Sequence, residues 1–347
     1  MANFSKKFIY ALLVLLGVVI LVFAMFQGFG DPARLILGQT GDKKTMENIR
    51  KDLYLDQPKW KQFIFYINDV SPLSIHTKED IIKKELKGLF VGGQTKVGLK
   101  IPYLRKSYQT KKDVGSVLME ALPGTLLLAI AAMIFATIIG ILLGVIAAVK
   151  KDSWMDTAAV FSSIAGISAP SFFMAIVIAY LFGVVLHPYT GLNLTGSWFD
   201  IDEVTGEKYL TLKNLVLPAF TLGIRPLAII TQLTRSAMLD VMSQDYIRTA
   251  YAKGLSKRTV IFRHALRNAL NPVVTAITGW FAELLAGAFF VEYIFGWRGI
   301  GKITVDALEK LDYPVVMGAV LVSACIFIFI NMLADMLYVL VDPRLRN

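Results

Sequence analysis

Cysteine is almost absent. The chain of 347 residues holds one, Cys325, set in an apolar run, so no disulfide framework can form within a single chain and the residue reads as a small hydrophobe. Histidine is nearly as scarce: His76, His187 and His264 stand far apart with no shared ligand spacing, which leaves no metal motif. Charge is thin too, at 18% of residues against 55% apolar. The balance is positive, +10, but the Lys and Arg fall between the apolar runs, which argues against a nucleic-acid partner. Neither a Walker motif nor a nucleophile–base constellation occurs, and no sequence repeat is visible. The last two absences weigh against a membrane-bound enzyme and against an ion-gradient-driven secondary transporter, which would normally carry inverted repeats and midplane ionisable clusters.

What is there is hydrophobic length. The mean hydropathy is +0.58, and the apolar residues gather into runs that reach the about 20 residues needed to cross a bilayer. Lipid offers no hydrogen-bond partners, so such runs must be helices. The expectation is an all-α integral membrane protein with six spans, at 8–26, 118–149, 157–186, 212–233, 272–295 and 314–341. The second is too long for one straight span, so its first turn or two should lie outside. The first follows a short basic start, Lys6 and Lys7, but exceeds a signal-peptide core and lacks a small-x-small site after it. It reads as a retained span. Basic residues close the second span (Lys150, Lys151), fill the loop between spans four and five, and end the chain (Arg344, Arg346). With six spans all three fall on one side with the N-terminus, and that side is the cytoplasm. The chain then divides into 1–26, an extracytoplasmic segment 27–117, and a core 118–347. In the outer segment, 45–66 has helical spacing with Ile49, Leu53, Trp60, Phe63 and Ile64 as candidate anchors. The stretch 71–100 is polar and Gly-containing and suggests no fold.

The most informative stretch is the cytoplasmic loop 240–271, DVMSQDYIRTAYAKGLSKRTVIFRHALRNALN. It is too polar to span and too regular for a linker. A helix is expected at 246–253, ended by Gly254, since glycine best tolerates a left-handed turn. A second is expected at 257–270 with Val260, Ile261, Ala265 and Leu266 as its apolar positions. Two short helices at right angles would form a plug for a partner's groove, with Ala250 and Gly254 admitting its backbone and basic residues around them. A basic loop lying on anionic lipid is the competing reading.

This loop resembles the EAA loop of ABC-importer permeases, which centres on an Ala, a Gly four residues later and a hydrophobic run; Ala250 and Gly254 fall at those places. The variant YIRTAYAKGLSKRTVIFRHALRNALNPVV is similar to the peptide/nickel branch. So are GDPARLILG, FFVEYIFGWRGIGKITVDAL and NMLADMLYVLVDPRLRN, in the right order from the first span to the last residue. Arg248 stands where the general pattern has Glu and Arg267 where it has Pro, so Arg248 does not inherit that Glu's role. The stretch 71–100 looks like an insertion. The resemblance implies the type I importer permease fold and a non-catalytic subunit of the bacterial inner membrane with both termini cytoplasmic. It implies a second permease, two ATP-binding cassette ATPases and an extracytoplasmic solute-binding protein as partners. It also implies that this chain binds no cofactor, ATP and Mg being used by the ATPases. Tyr246, Arg248, Thr249, Ala250, Lys253, Gly254, Leu255, Arg263, His264 and Asn268 would make the coupling loop. Peptide is the first substrate choice, with nickel or another small solute behind it.

Two glycine motifs are decoys. GWRGIGKI at 296–303 is one residue short of a phosphate-binding loop and follows a membrane helix, so a tight turn is expected there. Val91-Gly92-Gly93-Gln94 is like part of the ATPase signature, without a Walker motif to support it. Ionisable residues within spans are better candidates, because an acid at mid-membrane costs about 2.5–3.5 kcal/mol unless it meets a partner or water. Arg225 and Glu283 either line a path or pair, with each other or across subunits. Asn331 and Asp335, four apart, share a helix face and suggest bonding between spans. Gly140 and Gly144 should mark close helix packing, and Pro170 and Pro218 should kink their spans.

Overall fold

The computed structural model describes residues 2–28, 47, 50, 51, 54–201 and 205–341. Among these, three helices are long and apolar enough to cross a membrane, four if one bent pair counts as a single span, and 9–25 is a shorter apolar helix. The chain divides into two compact units, one of 1–122 with 303–325 and one of 123–302 with 326–347. Residues 303–325 thus group with the N-terminal part of the chain.

In the first unit, helix α1 (Ala2–Gly28) turns Val19 and Val22 toward Tyr66, Tyr108, Tyr313, Met317 and Leu321. Most of its other apolar side chains, among them Ile9, Leu12, Leu13, Leu16, Leu21 and Met25, are exposed, as a lipid-facing surface requires. Helix α2 (Lys59–Val70) presents Phe63, Tyr66, Ile67 and Val70 to this core, and Phe23 lies 5.1 Å from Phe63 between ring centroids. Trp60 and Ile64, expected as anchors, are exposed instead. Pro58 begins a new helix here, so a spacing counted from Ile49 and Leu53 loses its phase. Those two residues lie outside the described ones.

The stretch 71–100, which suggested no fold, is a three-stranded antiparallel sheet in the order β1-β3-β2, with β1 Leu73–Thr77, β2 Gly88–Gly92 and β3 Thr95–Lys100. A short helix, α3 (Lys78–Lys83), follows β1 and is capped by Thr77. Register places Leu73 and Leu89 opposite Leu99, and Ile75 and Val91 opposite Val97, all six on one exposed face. The opposite face buries Ser74, His76 and Lys100. The centre of that face is charged. Buried Asp69 takes Lys84 Nζ at 2.6 Å and Arg105 Nε at 3.5 Å, while Lys100 Nζ donates to its main-chain carbonyl. Burial pushes the Lys100 ammonium down to about 8 and, with Lys84, lowers His76. Farther along, buried Asp312 accepts Ser107 Oγ at 2.5 Å and Tyr108 N–H at 2.9 Å, tying that loop to the start of helix α12 (Tyr313–Val341).

Helix α4 (Val114–Val149) has 36 residues, about 54 Å at 1.5 Å per residue, and so outruns the about 30 Å hydrocarbon layer. In the second unit it meets helix α7 (Val216–Met242) across glycine, as the sequence suggested. A Cβ on Gly140 would lie 2.9 Å from Ile230 Cγ2; one on Gly144 would lie 2.5 Å from Thr234 Cβ and 2.7 Å from the Thr231 carbonyl oxygen. Helices α5 (Trp154–Ser168) and α6 (Ser171–Tyr180) follow α4. The expected third span, 157–186, is broken rather than kinked: the two halves meet at 108°. Pro170 has no N–H and holds Ala169 extended (φ −78°, ψ 130°), so the helix stops and restarts. Pro218, by contrast, sits in the first turn of α7, where a missing N–H is harmless. Proline interrupts α7 at Pro226, and the helix runs on to Met242, nine residues past the expected end. The expected fifth span begins inside helix α9 (Leu266–Gly287), which is long enough to cross but carries Arg267, Asn268, Asn271 and Glu283.

Two consequences are measurable. Asp69→Asn leaves cations around a neutral buried amide and should destabilise the sheet unit by about 3 kcal/mol, read as faster protease cleavage within 59–113 of the purified protein. Gly144→Val should push α4 off α7 and cost about 1–3 kcal/mol, read as a lower temperature for loss of monodisperse protein in detergent.

Candidate functional site

The loop after α7 forms helix α8, Asp245–Ala252. Gly254 ends it at φ +75°, with Gly254 N–H bonded to the Tyr251 carbonyl (2.9 Å) and Leu255 N–H to that of Ala250 (3.3 Å). This paired closure needs a left-handed residue, which is why glycine stands there. Ser256 Oγ then accepts the Thr259 N–H at 3.3 Å and starts the next helical segment. That segment is not a separate short helix. It runs without interruption through Lys257–Thr259 and a wider π turn, Val260–Ala265, into α9. Pro272, taken as the start of a span, lies inside α9; proline at that depth marks an interior irregularity rather than a boundary.

Burial divides the loop cleanly. Ile247, Ala250, Val260, Ile261, Ala265 and Ala269 pack with Val145, Ala148 and Met238, and Leu266 packs against them. Ala250 therefore faces the chain's own core, three residues after Ile247 on one helix stripe, and offers no gap to a partner. A Cβ on Gly254 would meet nothing within 4 Å; the glycine is needed for its backbone, and its surroundings are open. The outward face carries Tyr246, Tyr251, Leu255 and Phe262 among exposed Arg248, Thr249, Lys253, Lys257, Arg258 and Arg263. His264 is half-buried. Asn268 Nδ2 donates to Tyr246 Oη at 2.8 Å and so joins α8 to α9. Arg248 reaches its neighbour Asp245 at 3.4 Å, with both side chains in solvent.

A second feature lies in the same unit. Arg225 of α7 and Glu283 of α9 stand 4.0 Å apart, side chains 54% and 55% exposed, and the Arg225 guanidinium lies 5.5 Å from the Trp280 ring centre. They border a cleft of about 80 Å³, open to solvent, whose wall includes Ala169 and Ser171 at the α5–α6 break. Asn331 Nδ2 donates to the Phe327 carbonyl of its own helix at 2.9 Å. The side chain of Asp335 lies outside the described residues.

Two buried acids escaped the sequence reading. Asp156 holds Arg235 through Nε at 2.5 Å and Nη2 at 2.7 Å, pinning α5 to α7. Their 79-residue separation left no local signal. Glu292, in helix α10 (Phe289–Ile294), is fully buried and accepts the Lys302 N–H at 3.1 Å. The nearby glycines carry the signal for it: a Cβ on Gly301 would lie 2.9 Å from Glu292 Oε2, and one on Gly299 would collide with the same carboxylate. The GWRGIGK turn is thus a close-approach loop, with Gly296 left-handed (φ +65°) and Trp297 Nε1 bonded to the Gly124 carbonyl at 2.8 Å.

With this geometry in view, family comparison is decisive. Residues 140–347, including the whole α8 loop, match the model described as binding-protein-dependent transport system inner membrane component, and residues 1–129 match its N-terminal companion. The chain belongs to that family. The di/tripeptide transport system permease protein of Pseudomonas aeruginosa is 37% identical over 95% of this chain and 94% of its own. The glutathione transport system permease protein of Escherichia coli is 34% identical over 100% of this chain and 99% of its own. The fold is similar to that of the inward-facing MetNI methionine ABC transporter, with TM-score 0.52 and 18% identity over 65% of this chain and 97% of that one. As a member of the binding-protein-dependent transport family, the chain is a multi-pass membrane permease component of a transport system that works with a solute-binding protein. Two of the stretches that carried the resemblance, 30–38 and the last six residues, lie outside the described residues.

Asn268→Ala should release the Tyr246 hydroxyl and loosen α8 by about 1 kcal/mol, seen as faster amide exchange in 245–252 with α7 unchanged.

Proposed function

We propose that this chain forms part of the translocation path for di- or oligopeptides and takes its driving force through the α8 loop. In this reading it crosses the membrane six times, with both termini cytoplasmic. It pairs with a second permease, and two ATPases dock on the cytoplasmic loops. It binds no cofactor itself; ATP and Mg are held by the ATPases. The substrate class draws its support from relatives described as carrying dipeptides, tripeptides and glutathione. Coupling draws its support from one observation above all: α8 buries its apolar stripe in the chain's own core and turns an aromatic and basic face outward. A lipid-surface helix would do the reverse and bury its apolar face in the bilayer.

Closure of the ATPases would then move α8 as a unit, because its glycine closure, its core contacts and the Tyr246–Asn268 bond hold it to α7 and α9. Such a movement biases the path between two arrangements, provided the ATPase contacts differ between them.

The test is uptake into proteoliposomes holding this chain with its ATPases, second permease and binding protein. Labelled dipeptide should accumulate only with ATP. Gly254→Val places a β-branched residue at φ +75°, at a cost of about 1–2 kcal/mol. It should leave the complex assembled and lower uptake per ATP hydrolysed about tenfold. Unchanged coupling in that variant would refute the role given to α8.

A further inference from the structure

Arg225 and Glu283 form an ion pair unlike that between Arg235 and Asp156. Where Arg235 closes on Asp156, two bonds at 2.5 and 2.7 Å leave the carboxylate only 5% exposed. Arg225 and Glu283 meet at 4.0 Å, the outer limit of contact, with more than half of each side chain open to the cleft. Opposite charges placed among membrane helices and left this open need a polar occupant, water or solute, on their free sides. Trp280 lies against the guanidinium, 5.5 Å from its ring centre, and holds it at the cleft wall.

The opposite wall supplies the second half of the argument. At Ala169–Pro170 the helix stops, and Ala169 and Ser171 border the same space. Non-helical backbone at membrane depth persists only where protein buries it or a watered cavity solvates it. The cleft therefore brings together one cation, one anion and the ends of two helices, whose last carbonyls and first N–H groups lack partners within the helix.

We propose that Arg225 and Glu283 receive the two charged ends of a free peptide in transit, the guanidinium taking the α-carboxylate and the carboxylate taking the α-ammonium. The planar fork of arginine matches a carboxylate with two parallel N–H bonds. Two extended residues span at most about 7 Å, so rotation of these long side chains opens the 4.0 Å gap to the length of a dipeptide. The broken helix then faces the peptide's central amide. This rests on the peptide reading above.

The experiment uses the complete transporter in proteoliposomes, with three labelled probes: a free dipeptide, its N-acetylated form and its C-terminal amide. Each is supplied at equal occupancy of the binding protein. Glu283→Gln should lower uptake of the free dipeptide about tenfold and abolish the preference for a free over an acetylated N-terminus. Arg225→Gln should do the same for the free over the amidated C-terminus. An equal loss for all three probes would overturn the assignment. So would full recovery for all three in Arg225→Glu/Glu283→Arg, or failure of the single variants to co-purify with the second permease, since each marks a structural pair. A wild-type transporter that moves another solute but none of the three peptides would instead refute the substrate class.

Discussion

The approach of α4 to α7 at Gly140 and Gly144 is the contact on which the second unit depends. At these two positions side chain and main chain of α7 occupy the place a Cβ would need. In lipid no hydrophobic driving force presses helices together, so close approach and the dispersion contacts it creates must do so. The Thr231 hydroxyl does not compete for that contact: its Oγ1 donates to the Leu227 carbonyl one turn back on its own helix. Around α7, fixed in this way, pack α5, α6 and α9. The helix carries Arg225 in the cleft, Arg235 against Asp156, and Met238 in the core beneath α8.

Charge is handled in three distinct ways. Asp312 and Glu292 are buried acids that accept main-chain N–H groups, Asp312 from the loop at Tyr108 and Glu292 through Oε2 from Lys302. Asp156 and Arg235 satisfy each other with bidentate geometry and join two helices. Asp69 faces more cations than it can neutralise, and burial shifts Lys100 down to about 8 in response. In each case the alternative, an unpaired buried charge, would cost more than the whole margin of a typical fold can spare.

Much of the α8 loop was legible because its signals are local. A glycine after a helical stretch and apolar residues at 3–4 spacing specify α8 and its buried stripe without reference to the rest of the chain. The direction of Ala250 was less so, since a small residue fits equally well under a partner or against the chain's own core; only the stripe with Ile247 decides it. The sheet at 73–100 stayed hidden for a different reason. Its Leu, Ile and Val alternate as a strand should, but they face outward, and His76, Ser74 and Lys100 are the buried set. The rule that polar residues mark the solvent side therefore points the wrong way. Pro170 announced an irregularity, yet a proline does not say whether a helix bends or stops. The ion pairs between helices were legible only as candidates, because residues 58 or 79 apart meet by tertiary packing alone.

One continuous piece of chain links the two halves of the candidate machinery. From Arg225, α7 runs 17 residues to Met242, about 26 Å of helix, and delivers the chain to α8. From Asn268, α9 runs 15 residues back to Glu283, about 22 Å. The helix that a motor subunit would push is thus clamped between the two helices that carry the cleft charges. Each stretch holds one proline, Pro226 or Pro272, and α8 is tied to one helix by core packing and to the other by a hydrogen bond as well. In the proposed coupling, a tilt imposed at the loop would shift Arg225 and Glu283 relative to each other. An ion pair already at the 4.0 Å limit responds to such shifts far more readily than a closed bidentate pair like Asp156–Arg235, which would hold its helices together through the same movement. The placement of the loose pair at the cleft and the tight pair between α5 and α7 fits a unit in which one contact is made to open and its neighbour is made to stay shut.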